Sequence, residues 1–275
     1  MSRPLGLNAL TRRAFLRVAG GTALVPWSAW GDRGALCAAT ADGRLTVRPK
    51  CPTGDVRAGV QALGIATGRD ALLQVPARYR ADEPMGLLLF LHGASGSGEA
   101  SVRMAGAAAE DAGLILCAPD SRLGTWDIVR GSYGPDVAYI DAALTFVFAH
   151  CRIDVRRLAI AGFSDGASYA LSLGLINGDL FSHILAFSPG FIGPVTDHGR
   201  PLIYVSHGTR DPVLPIDRTS HRFVPELRRR GYAVRFREFA GGHTVPADVM
   251  AEAFGWVAGN RSQTQDNICH PPATH

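Results

Sequence analysis

Three side chains able to pass a proton among themselves occur in one order along the 275-residue chain, each just beyond an apolar run: Ser164, Asp211 and His243. Ser164 stands between two glycines in Gly162-Phe163-Ser164-Asp165-Gly166. The run Leu158-Ala159-Ile160-Ala161 before it reads as a buried strand, and Ala167 to Leu173 after it as the first turns of a helix. A turn this tight has no room for side chains at the flanking positions and strains the serine, which is why glycines are required there. The same geometry pushes the hydroxyl out above the sheet, beside a helix N-terminus that favours negative charge. A hydroxyl is a poor nucleophile until a base takes its proton, and the base needs a third group to hold its tautomer.

Downstream of Ser164 the histidines are His183, His198, His207, His221, His243, His270 and His275. His243 follows Gly241-Gly242 after the strand-like Val234 to Phe239, so it falls on a loop at a strand's carboxyl end. Ligands and reactive groups collect there in open α/β sheets. His207 also ends an apolar run and is expected to order the neighbouring turn. Asp211 follows the run from Pro201 and is the candidate acid. Its rival Asp217 reads better as the N-cap of the next helix, while Asp165 and Asp179 are too near the turn to reach across to the base.

An acyl-transfer intermediate also needs donors for its oxyanion, each worth about 3–4 kcal/mol. The backbone N–H of Asp165 is one candidate. The N–H of Ala94, in His92-Gly93-Ala94-Ser95-Gly96, is the other, with His92 bracing that loop. This stretch carries neither Gly-Lys-Ser/Thr nor Gly-x-Gly-x-x-Gly, which argues against nucleotide phosphates. Trp126 and Asp127, beyond the run Leu114–Ala118, stand near where an acyl group would rest. Trp126 is therefore a candidate substrate contact, with a core tryptophan as the alternative.

Elements that could position these groups alternate along the chain from about residue 70. Strands are predicted at Ala71–Val75, Gly86–Leu91, Leu114–Ala118, Leu158–Gly162, His183–Phe187, Pro201–Ser206 and Ala233–Phe239. Helices are predicted at about Gly98–Ala112, Pro135–His150, after Ser164 to Asn177, at Arg218–Arg230 and at Ala247–Ala258. Such alternation implies an α/β fold: one domain with a mostly parallel twisted sheet and helices on both faces. Only about a dozen residues separate Ser188 from Pro201, too few for a helical cap, so the pocket is expected to be shallow.

Composition bounds the alternatives. Hydrophobic residues make up 47% and charged residues 19%, enough to bury a core. The net charge of +4 resides in residues 1–41, where Arg3, Arg12, Arg13, Arg17 and Arg33 face Asp32 alone. The rest balances, so no nucleic-acid surface is implied. Thr11-Arg12-Arg13-Ala14-Phe15-Leu16 and the weakly apolar run to Trp30 look like a twin-arginine export signal, too short and too broken by Gly20, Gly21 and Pro26 to anchor in a membrane. Cleavage after Gly31 or after Ala41 fits equally. The chain then divides into a signal segment (1–41), one catalytic domain (42–260) and a flexible tail (261–275). Export would let disulfides persist: Cys51 and Cys269 are candidates to staple the two ends, whereas Cys117 reads as a buried thiol. No zinc-ligand spacing occurs, and neither a metal nor a cofactor is expected.

Leu91-His92-Gly93, Gly162 to Gly166, His207-Gly208-Thr209-Arg210-Asp211-Pro212-Val213 and Gly241-Gly242-His243 together resemble α/β-hydrolases of the phospholipase/carboxylesterase type, near polyhydroxybutyrate-depolymerase-like bacterial esterases. The resemblance covers residues 70–258. It implies ester hydrolysis through an acyl-enzyme with Ser164, Asp211 and His243 as the triad and a small-molecule ester as substrate. Thioester, amide or polyester cleavage on the same groups, or a non-catalytic binding protein, are the alternatives. Asp165 departs from the pattern, since many relatives carry a neutral side chain there.

Overall fold

The computed structural model describes residues 42–260. The expected signal, its cleavage sites, the tail and Cys269 lie outside the described residues. Within them, eight strands form one sheet in the order β1-β2-β4-β3-β5-β6-β7-β8. These are β1 (Gly59–Ala62), β2 (Ala71–Val75), β3 (Met85–Leu91), β4 (Leu114–Pro119), β5 (Ile153–Phe163), β6 (His183–Phe187), β7 (Leu202–Gly208) and β8 (Val234–Phe239). Strands β1 and β2 pair antiparallel with their neighbours, and β3 to β8 run parallel. Five helices connect or close them: α1 (Gly98–Ala112), α2 (Pro135–His150), α3 (Asp165–Ile176), α4 (Ser220–Arg229) and α5 (Ala247–Gly259).

Alternation along the strands assigns each side chain to a face. In β3 and β5, Leu87, Leu89, Leu91, Leu158 and Ile160 point into a core shared with α2, α3 and α4. Their neighbours Leu88, Phe90, Ala159 and Ala161 point the other way, against α1 and α5. Both faces are dry, so these strands appear in sequence as continuous apolar runs. Among the described residues, no cap domain covers the carboxyl ends of the strands.

The chain ahead of the sheet is strapped on by hydrogen bonds. Leu45 is buried, its N–H donating to Asn177 Oδ1 at 2.9 Å, while Asn177 Nδ2 donates to the Gly43 carbonyl. Asp141 accepts from the N–H groups of Thr46 and Val47, and Asp179 pairs with Arg44 and Arg48. The Arg44 guanidinium bonded to it holds the Asp179 carboxyl down at about 2.

Two expectations need correction. Asp217 does not cap the helix after it. A short 3-10 turn spans Ile216–Arg218, α4 starts at Ser220, and Thr219 stands at its N-cap without a side-chain capping bond, its hydroxyl donating instead to the Pro215 carbonyl at 3.0 Å. The Asp217 carboxylate accepts instead from the His221 ring at 2.8 Å. Strand β1 had no counterpart in the sequence reading, because its exposed, glycine-led residues leave no apolar pattern. Cys117 and Cys151 are buried free thiols, and burial pushes both up to about 12. Cys51 is disulfide-bonded.

Among the described residues, no helix is long and apolar enough to cross a membrane. Among the same residues, no cluster of three or more His, Cys, Asp or Glu is arranged to hold a metal ion.

Candidate active site

Ser164 sits on the turn from β5 into α3 with φ 57° and ψ −117°, a conformation that costs roughly 1–3 kcal/mol for a side chain other than glycine. Its surroundings enforce the turn. The Ser164 N–H donates to the Phe187 carbonyl at 2.9 Å, fixing the end of β5 against β6. A Cβ on Gly166 would lie 2.1 Å from the Leu91 carbonyl oxygen, and one on Gly162 would lie 2.3 Å from the Gly166 carbonyl. The two glycines thus let α3 start directly against the end of β3, leaving the hydroxyl above the sheet.

The candidate base and acid arrive from the two strands nearest the far edge. His243 follows β8 and Asp211 follows β7. A Cβ on Gly208 would lie 2.3 Å from the Gly242 carbonyl oxygen, so the two loops close up only because residue 208 is glycine. His243 Nδ1 lies 2.7 Å from Asp211 Oδ2 and its Nε2 lies 2.9 Å from Ser164 Oγ. A carboxylate only accepts, so Nδ1 carries the proton and Nε2 is free to receive that of Ser164. Asp211 is itself held: its Oδ1 accepts from the N–H groups of Val213 and Leu214, at 2.9 and 2.8 Å. Phe163 packs against the imidazole, with ring centroids 4.8 Å apart.

His207 stays outside this relay and orders its turn. Its Nε2 faces the Leu214 carbonyl at 2.7 Å, which fixes the proton there, and also lies 3.3 Å from Asp211 Oδ2. Its Nδ1 then accepts from the Ser220 hydroxyl at 2.7 Å. Burial pushes the ring below the ordinary histidine range, so it remains neutral.

The loop after β3 is fixed from behind. His92 Nε2 accepts from the Ser121 N–H at 3.0 Å, so Nδ1 carries the proton and donates to the Gly93 carbonyl at 2.6 Å. Ser95 (φ 55°) donates its N–H to the Gly124 carbonyl at 2.7 Å, and Gly96 to the Gly93 carbonyl. The N–H groups of Gly93, Ala94 and Asp165 are spent on no acceptor among the described residues. The loop passes close to the serine, because a Cβ on Gly93 would lie 3.4 Å from Ser164 Cβ.

Trp126 does not line a pocket. It is 0% exposed, and its indole N–H donates to the His92 carbonyl at 2.8 Å. Its ring stacks on Tyr169, at a centroid distance of 5.2 Å, and lies 4.7 Å from His92. The apolar ring needed burial and the N–H needed an acceptor, and the back of the β3 loop supplies both. Thr125, the residue before it, had no signal in the sequence, yet its hydroxyl donates to Asp165 Oδ2.

No family model matches the chain. Over 157 residues it is 32% identical to a probable feruloyl esterase C of Aspergillus oryzae, a match covering 54% of this chain and 57% of that relative. The chain thus spans a little over half the length of the curated relatives it matches. Among solved structures it resembles an S-formylglutathione hydrolase from Staphylococcus aureus, with a TM-score of 0.59 and 16% identity over 74% of this chain and 100% of that one. It also resembles a ferulic acid esterase from Anaeromyces mucronatus, with a TM-score of 0.55 and 16% identity over 78% and 97% of the two chains. At such identities the structural likeness is one of fold. Sheet order, the strand-to-helix turn and the structural likeness together give the chain an α/β-hydrolase fold.

Proposed function

We propose that this chain is a serine esterase that works through an acyl-enzyme, with Ser164 as nucleophile, His243 as general base and acid, and Asp211 as the group that holds the imidazole. The observation that carries this reading is the unbroken line of hydrogen bonds from Ser164 Oγ through His243 to Asp211, at 2.9 and 2.7 Å. Oγ adds to the ester carbonyl while Nε2 takes its proton. The carbonyl oxygen, now negative, is received by the unspent N–H groups of Ala94 and Asp165. His243 then gives the proton to the departing alcohol, and water repeats the sequence to free the acid and restore Ser164.

The substrate is a small carboxylic ester. Similarity to proteins named feruloyl esterase favours an aryl-substituted acid, and the uncapped sheet favours short acyl groups over long ones. Leu123 and Val213, 48% and 60% exposed on loops at the carboxyl ends of β4 and β7, offer apolar contact there. The twin-arginine motif supports export through the machinery that reads it, with residues 42–260 as the catalytic domain. Replacing both Arg12 and Arg13 by Lys is expected to leave the protein in the cytoplasm, as fractionation would show.

Labelling by a fluorophosphonate, absent in Ser164→Ala, tests the core reading; equal labelling of the variant would refute it. A panel of nitrophenyl esters from two to sixteen carbons, together with methyl ferulate, a thioester, a peptide and polyhydroxybutyrate, tests the substrate class. A maximum above twelve carbons would contradict the uncapped pocket.

A further inference from the structure

The side chain of Asp165 has no place in the proton relay, yet it is a carboxylate buried to 1% exposure directly after the nucleophile. Its only hydrogen bond is the one accepted from the Thr125 hydroxyl; Oδ1 is buried and has no partner among the described residues. Burying a carboxylate this sparsely is costly, and a neutral side chain would fold more cheaply. The site at which Thr125 attaches explains why it is there. Three of the bonds that residues 121–126 make go to the loop after β3: the Ser121 N–H to His92 Nε2, the Trp126 indole N–H to the His92 carbonyl, and the Ser95 N–H to the Gly124 carbonyl. Ser95 has φ 55°, a strained conformation that the bond to Gly124 holds in place. The segment thus grips the loop bearing the Ala94 N–H at one side and the helix start bearing the Asp165 N–H at the other.

Resting on the serine-esterase reading above, we propose that the Thr125–Asp165 pair is a positioning latch: it ties the segment 121–126 to the turn after β5 and so fixes the spacing of the two oxyanion donors. Neither side chain touches substrate. The latch acts by keeping the donors aimed at a charge that exists only in the transition state, so its loss should lower kcat and leave KM nearly unchanged.

Steady-state hydrolysis of nitrophenyl acetate by purified variants tests this. Thr125→Val is expected to lose about tenfold in kcat with KM within about twofold, while Thr125→Ser, which keeps the hydroxyl, recovers most of the loss. Asp165→Ala should lose as much, and the double variant Thr125→Val/Asp165→Ala no more than either, because both remove one bond. Asp165→Asn keeps an acceptor for Thr125 and should retain most of the activity. Full activity in Thr125→Val would overturn the latch. So would a loss in Asp165→Asn equal to that in Asp165→Ala with Thr125→Val unaffected, since the charge beside His243 would then be what matters. If Asp165→Ala does not fold, the two Thr125 variants decide. A wild-type protein that neither hydrolyses the ester nor takes the fluorophosphonate would remove the esterase reading and the latch together; an active wild type with indifferent variants removes only the latch.

Discussion

At the scale of single residues, each hydrogen-bond partner dictates where its neighbouring imidazole keeps a proton. Asp211 fixes the tautomer of His243, the Leu214 carbonyl fixes that of His207, and the Ser121 N–H fixes that of His92. Asp211→Asn would let the imidazole turn its protonated nitrogen toward Ser164, and a fall of about ten-thousandfold in kcat with little change in KM is expected in ester hydrolysis. Trp126→Phe keeps the stacked ring but strands the His92 carbonyl. Denaturant unfolding should register about 1–3 kcal/mol of lost stability. Ser164, Asp211 and His243 could be picked out from sequence because each ends an apolar run beside glycine. Thr125 could not, since a loop threonine looks the same whether or not it bonds to a buried carboxylate. For Trp126 the sequence leaves pocket and core readings both open, because its stacking partner Tyr169 lies far along the chain.

The elements put these residues within reach. Central strands such as β3 were readable because both faces are dry, while β1, at the antiparallel edge, shows no such run. The N-terminus of α4 was misplaced because Asp217 resembles a cap in sequence but spends its carboxylate on His221. Gly166→Ala would drive a methyl group into the end of β3. It should cost about 3 kcal/mol or more of stability, or give insoluble protein, as thermal unfolding or expression yield would show. His183, fully buried at the start of β6, is pushed down to about 4 by that burial. Between pH 4 and 6.5 the unfolded chain binds this proton and the folded chain does not, so stability should fall on acidification through this window, by up to about 2–3 kcal/mol. Asp136, raised to about 6 by burial, works in the opposite sense over the same range. The difference in urea unfolding between His183→Gln and wild type is therefore the quantity to follow, and it should shrink as the pH drops.

For the molecule as a whole, the proposed relay is spread across half the sheet: the proposed nucleophile leaves β5, the acid β7 and the base β8. The first of these strands is paired on both sides. Among the described residues the last is paired only with β7, and its residues are exposed or half-buried. Strands held along one side open at lower free energy than those held along two. Mild heat or denaturant should therefore silence the protein before it unravels, with turnover lost while far-UV circular dichroism and the buried tryptophan's fluorescence still report an intact core. The imidazole hangs from an outer thread of the weave, so on the proposed mechanism the working life of the site is set by the fraying of a six-residue hem.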